Sequence, residues 1–330
     1  KNLYGFEYLI APYTIAHLKL SQYLKDRGHP LADGERLQVF LTNTLEPIEP
    51  QRNLYLPAVT AEVEAAQKVK DSKILVIMGN PPYSGVSRNM GAAAQSLIER
   101  YKFVDGKHFG EKKHWLQDDY VKFIAFAQKK MDGVEEGVVG MITNHNYLDG
   151  PTFRGMRQNL MQTFNQIVIL DLHGSLQRIE AVPLGMKDQN VFDIKPGVTI
   201  ALFIKNKGKE ASIRQSDLWG TREEKYRFLA NSGLKDVPWQ DVDNRTPYYF
   251  FENSGTHETQ LPAEHSLDKI FIAGSTALQT SRDEFAISFV KKEIVRRVAD
   301  LRNGTIPDDS FRRFLKEKKE SNLPAGDSDF

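Results

Sequence analysis

The run KILVIMGN, residues 73–80, constrains the fold of this chain more than any other stretch. An unbroken apolar run without polar alternation reads as a strand buried on both faces, and such strands belong to sheets covered by helices on both sides. Comparable runs follow in GVVGMITNHNYL (137–148), NQIVILDLHG (165–174) and VFDIKPGVTIALFIKN (191–206). Segments with helical spacing lie between them, chiefly AEVEAAQKV (61–69), DDYVKFIAFAQKKM (118–131) and TFRGMRQNLMQTF (152–164). Upstream, LYGFEYLI (3–10) is a short strand-like run, PYTIAHLKLSQYLKDRG (12–28) a helix stopped by Gly28, and RLQVFLTNTLEP (36–47) a further strand. Strands alternating with helices predict an α/β fold with a mostly parallel, doubly wound sheet.

The buried run ends in Asn80-Pro81-Pro82-Tyr83. Proline cannot donate to a sheet ladder, so Pro81 lies beyond the last strand hydrogen bond, and it biases Asn80 toward extended backbone. A stiff turn at the carboxyl end of a buried strand is where open α/β sheets place their ligand crevice. The amide oxygen of Asn80 and the carbonyl of Pro81 suit the two hydrogens of a planar amino group, and Tyr83 suits stacking on the ring that carries it. An exocyclic amine held in this way is poised to attack an electrophile, such as a methyl donor held in line. The alternative is a rigid loop after a strand.

Composition narrows the classes further. Hydrophobic residues make up 40% and charged residues 26%, as in soluble globular proteins. No apolar stretch reaches the ~18 residues of a membrane span and no signal peptide opens the chain, so a cytoplasmic location without membrane association is expected. There is no cysteine, which excludes disulfides and thiolate metal sites. The formal net charge is +1, so a nucleic-acid partner would have to be held by a local basic face. The strand–helix alternation weakens after Lys205, and from about Asn231 prolines and the aromatic run TPYYFFEN change the texture. We therefore divide the chain into residues 1–230 and a smaller mixed domain over 231–330. Lys1 opens directly into ordered-looking sequence and NLPAGDSDF closes without a capping signal, so the chain is expected to be a piece of something longer.

Asn-Pro-Pro-Tyr at a strand end resembles the signature of the N6-adenine and N4-cytosine amino-methyltransferases, which use S-adenosylmethionine. NLYGFEYLIAPYTIAHLKL, LTNTLEP, GNPPYSG, WLQDDYVKFIAFAQ, ITNHNYLDGPTFRGMRQNLM, ILDLHG and NVFDIKPGVTIALFIK extend the resemblance to the methyltransferase region of type ISP restriction–modification enzymes. Those are single polypeptides that join nuclease, ATP-driven translocase, adenine methyltransferase and target-recognition domain. The likeness runs from Asn2 to about Lys205 and thins beyond, where TSRDEFAISF is similar to the start of the specificity region.

The resemblance implies a Rossmann-like, S-adenosylmethionine-dependent methyltransferase over 1–230 and the linker and beginning of a target-recognition domain over 231–330. It implies that Asn80, Pro81, Pro82 and Tyr83 hold an adenine flipped out of double-stranded DNA, with Phe192 over the base's other face. It further implies that Glu7 accepts the ribose hydroxyls of the cofactor, and that Asn43, where the family often has an acid, contacts the cofactor's adenine. Glu7 could equally be a solvated strand-end acid and Phe192 a core aromatic. One family feature is missing: the first strand with its glycine-rich turn should precede Glu7, and no Gly-x-Gly opens a helix elsewhere. The chain on its own is therefore expected to be inactive, with further domains of the same polypeptide as its partners.

Weaker signals surround this core. Asn144, His145 and Tyr147 lie in a loop after a strand, and Asn144 and Tyr147 read equally as DNA contacts or as ordinary loop residues. Arg154 reads as structural. Arg282, in TSRDEF, reads as a guanine-edge or phosphate contact, or as half of a salt bridge with Asp283. Asp171 and His173, two apart on one strand, make an incomplete metal site, so no metal is expected. KKEIVRR (291–297) reads as a solvated helix face. Two other functions remain open: methylation of protein glutamine side chains, and binding of DNA or a partner domain without catalysis.

Overall fold

The computed structural model describes residues 2–47, 57–83, 85, 87, 89–110, 114–178, 180–244, 246–253 and 287–303. They belong to two compact units, Lys1–Thr256 and His257–Phe330. In the second unit the described element is a helix, Lys291–Arg302, whose basic side chains are largely exposed, as expected for a solvated face.

The first unit opens with strand β1 (Gly5–Glu7), helix α1 (Ile10–Asp26), strand β2 (Val39–Leu41) and helix α2 (Pro57–Asp71). Strand β3 (Val76–Gly79) follows, then helix α3 (Ala92–Ile98) and the short hairpin of β4 (Phe103–Val104) and β5 (Lys107–His108). The remainder comprises α4 (Asp119–Asp132), β6 (Gly137–Asn144), α5 (Arg154–Thr163), β7 (Gln166–Asp171), β8 (Val198–Lys205), β9 (Ser212–Asp217), α6 (Arg222–Asn231) and β10 (Gln240–Asp241). α1 ends where Gly28 takes φ +79°, a conformation that glycine adopts without a steric penalty.

The main sheet has the order β10-β9-β7-β8-β6-β3, while β1 and β2 form a separate parallel pair. The main sheet is mixed, where the sequence predicts a mostly parallel one. β3 runs parallel to β6 and β7 parallel to β9, but β8 is antiparallel to both β6 and β7. No helix lies between β7 and β8, so the chain returns into the sheet without the crossover that a parallel neighbour needs. Both faces are nonetheless covered. One carries Val139, Met141, Ile169 and Phe203 against α3, α4 and α5; the other carries Leu170 and Val198 against Val191, Phe228 and Trp239. Residues 231–253 pack within this unit: Phe251 is part of its core and the Tyr248 carbonyl accepts from buried Arg157. The compositional change near residue 231 thus falls inside the first compact unit.

A second expectation is corrected at β3. Its sequence reads as a fully buried strand, but Val76 is 61% and Met78 79% exposed. β6 is its one partner among the described residues, so β3 is an edge strand. β1 likewise pairs with β2 alone, and α1 buries none of its residues, leaving Ile15 and Leu18 in solvent. Glu62 on α2 holds this amino-terminal block together, accepting from Tyr13, Arg36 and the Leu41 amide. Burial is therefore uneven along these apolar strands, and the cost of truncating a side chain should follow it. Phe203→Ala is expected to cost about 3–5 kcal/mol, whereas Met78→Ala should change stability by less than about 0.5 kcal/mol. Urea denaturation of the two variants checks the contrast.

Candidate active site

β3 delivers the Asn-Pro-Pro-Tyr turn to the carboxyl end of the sheet. Its last residue, Gly79, lies opposite Met141 of β6, and a Cβ there would come within 3.1 Å of the Met141 sulfur. Asn80 is exposed, and among the described residues its amide has no hydrogen-bond partner. Pro81 is buried and Pro82 exposed. Tyr83 is half-buried and packs against both hydrophobic clusters, and burial pushes its hydroxyl up to about 12. Phe192 is partly buried and packs against the second of those clusters. The turn and Phe192 thus share one cluster of apolar side chains.

The segment after Tyr83 is fastened to the start of α4. The Gly85 amide donates to Asp118 Oδ2 at 3.2 Å, and Ser87 Oγ donates to Asp119 Oδ1 at 2.6 Å. Lys122, fully buried, donates to Ser87 Oγ and to the Asn89 carbonyl. Asn89 then accepts from Asn43 Nδ2 at 2.9 Å, tying the loop after β2 to the loop after β3. Sequence reasoning did not single out Asp118, Asp119 and Lys122. Their signal was the acid pair opening an amphipathic helix with a lysine one turn on, a pattern also typical of a solvated helix start.

Phe192 is set by Asn190. The Asn190 side chain accepts from the Phe192 amide and donates to the carbonyls of Gly174 and Pro196. Gly174 makes this approach possible: it has φ +81°, and a Cβ there would collide with the Asn190 backbone. Arg222, at the start of α6, clamps the Asn190 and Phe192 carbonyls from the other side. A cleft of about 1070 Å³ opens beside Phe192, bordered by Arg178, Lys195 and Arg222. Asparagine bonding the backbone two residues on is an ordinary turn device, so the sequence carried this signal without its meaning.

The remaining predicted residues fall in different places. One oxygen of Glu7 accepts from the Tyr8 and Leu9 amides at 2.8 Å each, fronting α1. Its second oxygen makes no hydrogen bond among the described residues. Asn43 is engaged at both ends, donating to Asn89 and accepting from the Leu45 amide. Asn144 and Tyr147 do not present side chains for DNA. Asn144 is buried, its oxygen capping the Asn146 amide, and Tyr147 is 0% exposed within the core. Both serve the turn that ends β6, whose carbonyls at Tyr147 and Gly150 are bound by Arg157. Arg282 lies outside the described residues.

The Eco57I restriction-modification methylase family matches residues 1–177. That span is more than half of the chain. The chain belongs to this family. Within the methylase span lie Glu7, Asn43, Asn80–Tyr83 and α4, whereas Phe192 and Arg282 lie beyond it. Among solved structures, the chain is similar to the ATP-dependent type ISP restriction-modification enzyme LlaBIII bound to DNA, at 24% identity and TM-score 0.66. It is also similar to a nuclease-deletion mutant of the type ISP enzyme LlaGI in complex with a DNA substrate mimic, at 19% identity and TM-score 0.68. A DrdV–DNA complex matches at 20% identity and TM-score 0.62. These matches cover 91%, 91% and 98% of this chain but 21%, 29% and 33% of those chains, so it spans no more than a third of their length. At these identities the likeness shows a shared fold, the mixed α/β one described above. Among curated proteins, none matches significantly.

Asp118 gives a test of how the methylase loop is held. Burial pushes its carboxyl up to about 6, against the opposing hydrogen bonds from the Asp119 and Gly85 amides. An unfolded aspartate ionises near ~3.9, so between that value and about 6 the folded chain keeps a proton that the unfolded chain has released. The stabilising contribution is complete at low pH and is lost as pH rises through this window. Asp118→Asn keeps an acceptor for Gly85 and mimics the protonated acid. It is expected to be at least as stable as the parent at about pH 7 and to lose that advantage near pH 4, which urea midpoints at both pH values check.

Proposed function

We propose that this chain is the target-amine half of a DNA N6-adenine methyltransferase, within a larger enzyme of type ISP architecture. The observation that carries this reading is the Asn80 amide, without a partner among the described residues, at the carboxyl end of β3 and followed by buried Pro81 and half-buried Tyr83. An adenine stacked in a duplex cannot bring its N6 to such a turn, so the base must flip out, and double-stranded DNA is the substrate. Tyr83 then stacks on the extruded base and Phe192 covers its other face. Asn80 Oδ1 and the Pro81 carbonyl accept the two N6 hydrogens, which draws the nitrogen lone pair out of the ring. The nitrogen so held would be the nucleophile toward a methyl donor, and the surplus N6 proton would pass to water. Positioning supplies most of the acceleration, without a covalent enzyme intermediate.

S-adenosylmethionine would supply the electrophilic methyl group. The residues present fit it in part. Glu7 has a carboxylate oxygen to spare for a ribose hydroxyl, whereas both ends of the Asn43 amide already hold one partner each, which leaves a single hydrogen and a single lone pair for the cofactor's adenine. β1 and β3 each have a single strand partner among the described residues, so each has an edge to which a further strand could pair. Arg282 and the rest of residues 231–330 are proposed to begin the sequence-reading module, with nuclease and translocase domains as further partners in the same polypeptide.

Two outcomes test the reading. In the intact enzyme Asn80→Ala should abolish methyl transfer while duplex binding, which is dominated by phosphate contacts, stays near that of the parent. Methylation at the parental rate would remove Asn80 from the reaction. The 330-residue chain alone should neither bind S-adenosylmethionine stoichiometrically nor transfer a tritiated methyl group to mixed-sequence DNA. Micromolar binding with transfer would show that the cradle is complete without an added strand.

A further inference from the structure

Asp171 and His173 looked like half of a metal site in the sequence, and the fold brings the other half to them. His145, from the turn that ends β6, and Glu180, from the segment after β7, close on the same point. We propose that His145, Asp171, His173 and Glu180 form a four-coordinate zinc site that fastens the Phe192-bearing segment to the sheet.

The four ligand atoms are close enough to share one ion. One ligand atom from each residue lies within 4.8 Å of all the others. His145 Nδ1 is 3.2 Å from Asp171 Oδ2 and 3.8 Å from Glu180 Oε1, and His173 Nδ1 is 3.6 Å and 3.0 Å from the same two oxygens. Zinc bonds of about 2.0–2.2 Å at tetrahedral angles place neighbouring ligand atoms roughly 3.3–3.6 Å apart. The observed separations bracket that range, so an ion fits with shifts of a few tenths of an ångström. Two imidazoles and two carboxylates suit Zn²⁺ among the divalent ions, and their charges balance it.

Three of the four atoms facing away from the centre are engaged, while His145 Nε2 is buried without a hydrogen-bond partner among the described residues. Asp171 Oδ1 accepts from the His173 amide, Glu180 Oε2 accepts from the Ser175 amide, and His173 Nε2 bonds Asp217 Oδ1, each at 2.9 Å. Carboxylate–histidine pairing of this kind orients a metal-bound imidazole and selects its tautomer. Trp219 stacks on the His173 ring at 3.4 Å, and Gly197 leaves room for the His145 ring, which a Cβ would strike. His173 holds φ +50°, an unfavourable conformation for a side-chain-bearing residue that persists where surroundings over-determine it. His145, Asp171 and His173 are buried, and the four ligands leave no open position. The role is therefore to cross-link three segments: the end of β6, the end of β7 and the loop leading to Asn190 and Phe192. This inference does not rest on the methyl-transfer reading, because its test reads metal and not activity.

The chain is purified without a polyhistidine tag or chelator and its metal content measured by plasma mass spectrometry. Stoichiometric zinc is expected, and growth on cobalt should give the strong visible bands of tetrahedral Co²⁺. His145→Gln and Glu180→Gln keep side-chain size and hydrogen bonding, so they should fold, with unchanged circular dichroism, yet lose the metal and the bands. Asp217→Asn should keep the site but weaken zinc binding about 10–100-fold. Removing zinc should speed tryptic cleavage at Arg178, Lys187 and Lys195. Metal-free wild-type protein whose melting temperature is unmoved by added zinc would overturn the site in favour of a purely hydrogen-bonded network. Stoichiometric iron or manganese, or variants that retain full zinc, would overturn the assignment as well.

Discussion

Everything at the carboxyl end of this sheet takes its position from the pairing of β6 with two neighbours of opposite sense. On one side the parallel ladder from Val76↔Val138 to Gly79↔Met141 sets where β3 stops, and so where Asn80 emerges. On the other, the antiparallel ladder from Gly137↔Lys205 to Asn144↔Val198 brings the start of β8 beside the end of β6. A slip of one residue in either ladder would turn every side chain to the opposite face. It would shift the point at which Asn80 emerges and drive the apolar face of β8 into the wrong layer. The helices on both sides hold the register by filling it, with Val139 and Phe203 in one layer and Val198 in the other.

The Asn80 turn and Phe192 are each held in place by neighbouring polar side chains. Lys122 and the Asp118–Asp119 pair fasten the loop after Tyr83, and Arg222 and Asn190 fasten the loop around Phe192. Both arrangements satisfy buried backbone carbonyls with charged or amide side chains, so removal of either would leave polar groups stranded out of water. Asn80 is the contrast, an exposed polar side chain at the end of β3 without a partner among the described residues. Its amide costs nothing to leave in solvent and stays available to a ligand.

The amino-terminal block stands apart from this economy. α1 and the residues flanking β1 present leucine, isoleucine and tyrosine side chains to solvent, and β3 presents Val76 and Met78. Exposed apolar strand edges invite pairing with another strand. These surfaces have the composition of an interior, and a further layer of structure would bury them.

The apolar strand runs, the helical spacings between them and the punctuation at Asn-Pro-Pro-Tyr were legible in the linear sequence. Their physical causes are local: side-chain periodicity, proline's missing donor and glycine's tolerance of positive φ. Local causes also placed α1, α4, α5 and the strands at 137–144 and 166–171 close to where they stand. The sense of β8, the exposure of β3 and the burial of Tyr147 were not legible, because each depends on which strand lies alongside, and a run such as KILVIMGN reads the same at an edge as in the middle. Asn43 and Asn144 read as candidates for a ligand, and the fold used both to cap neighbouring amides. The four-residue cluster at His145 was invisible for the same reason. Its members are spread over 36 positions of chain, and only the antiparallel return of β8 between β6 and β7, with the folding back of the loop after β7, brings two imidazoles and two carboxylates to one point.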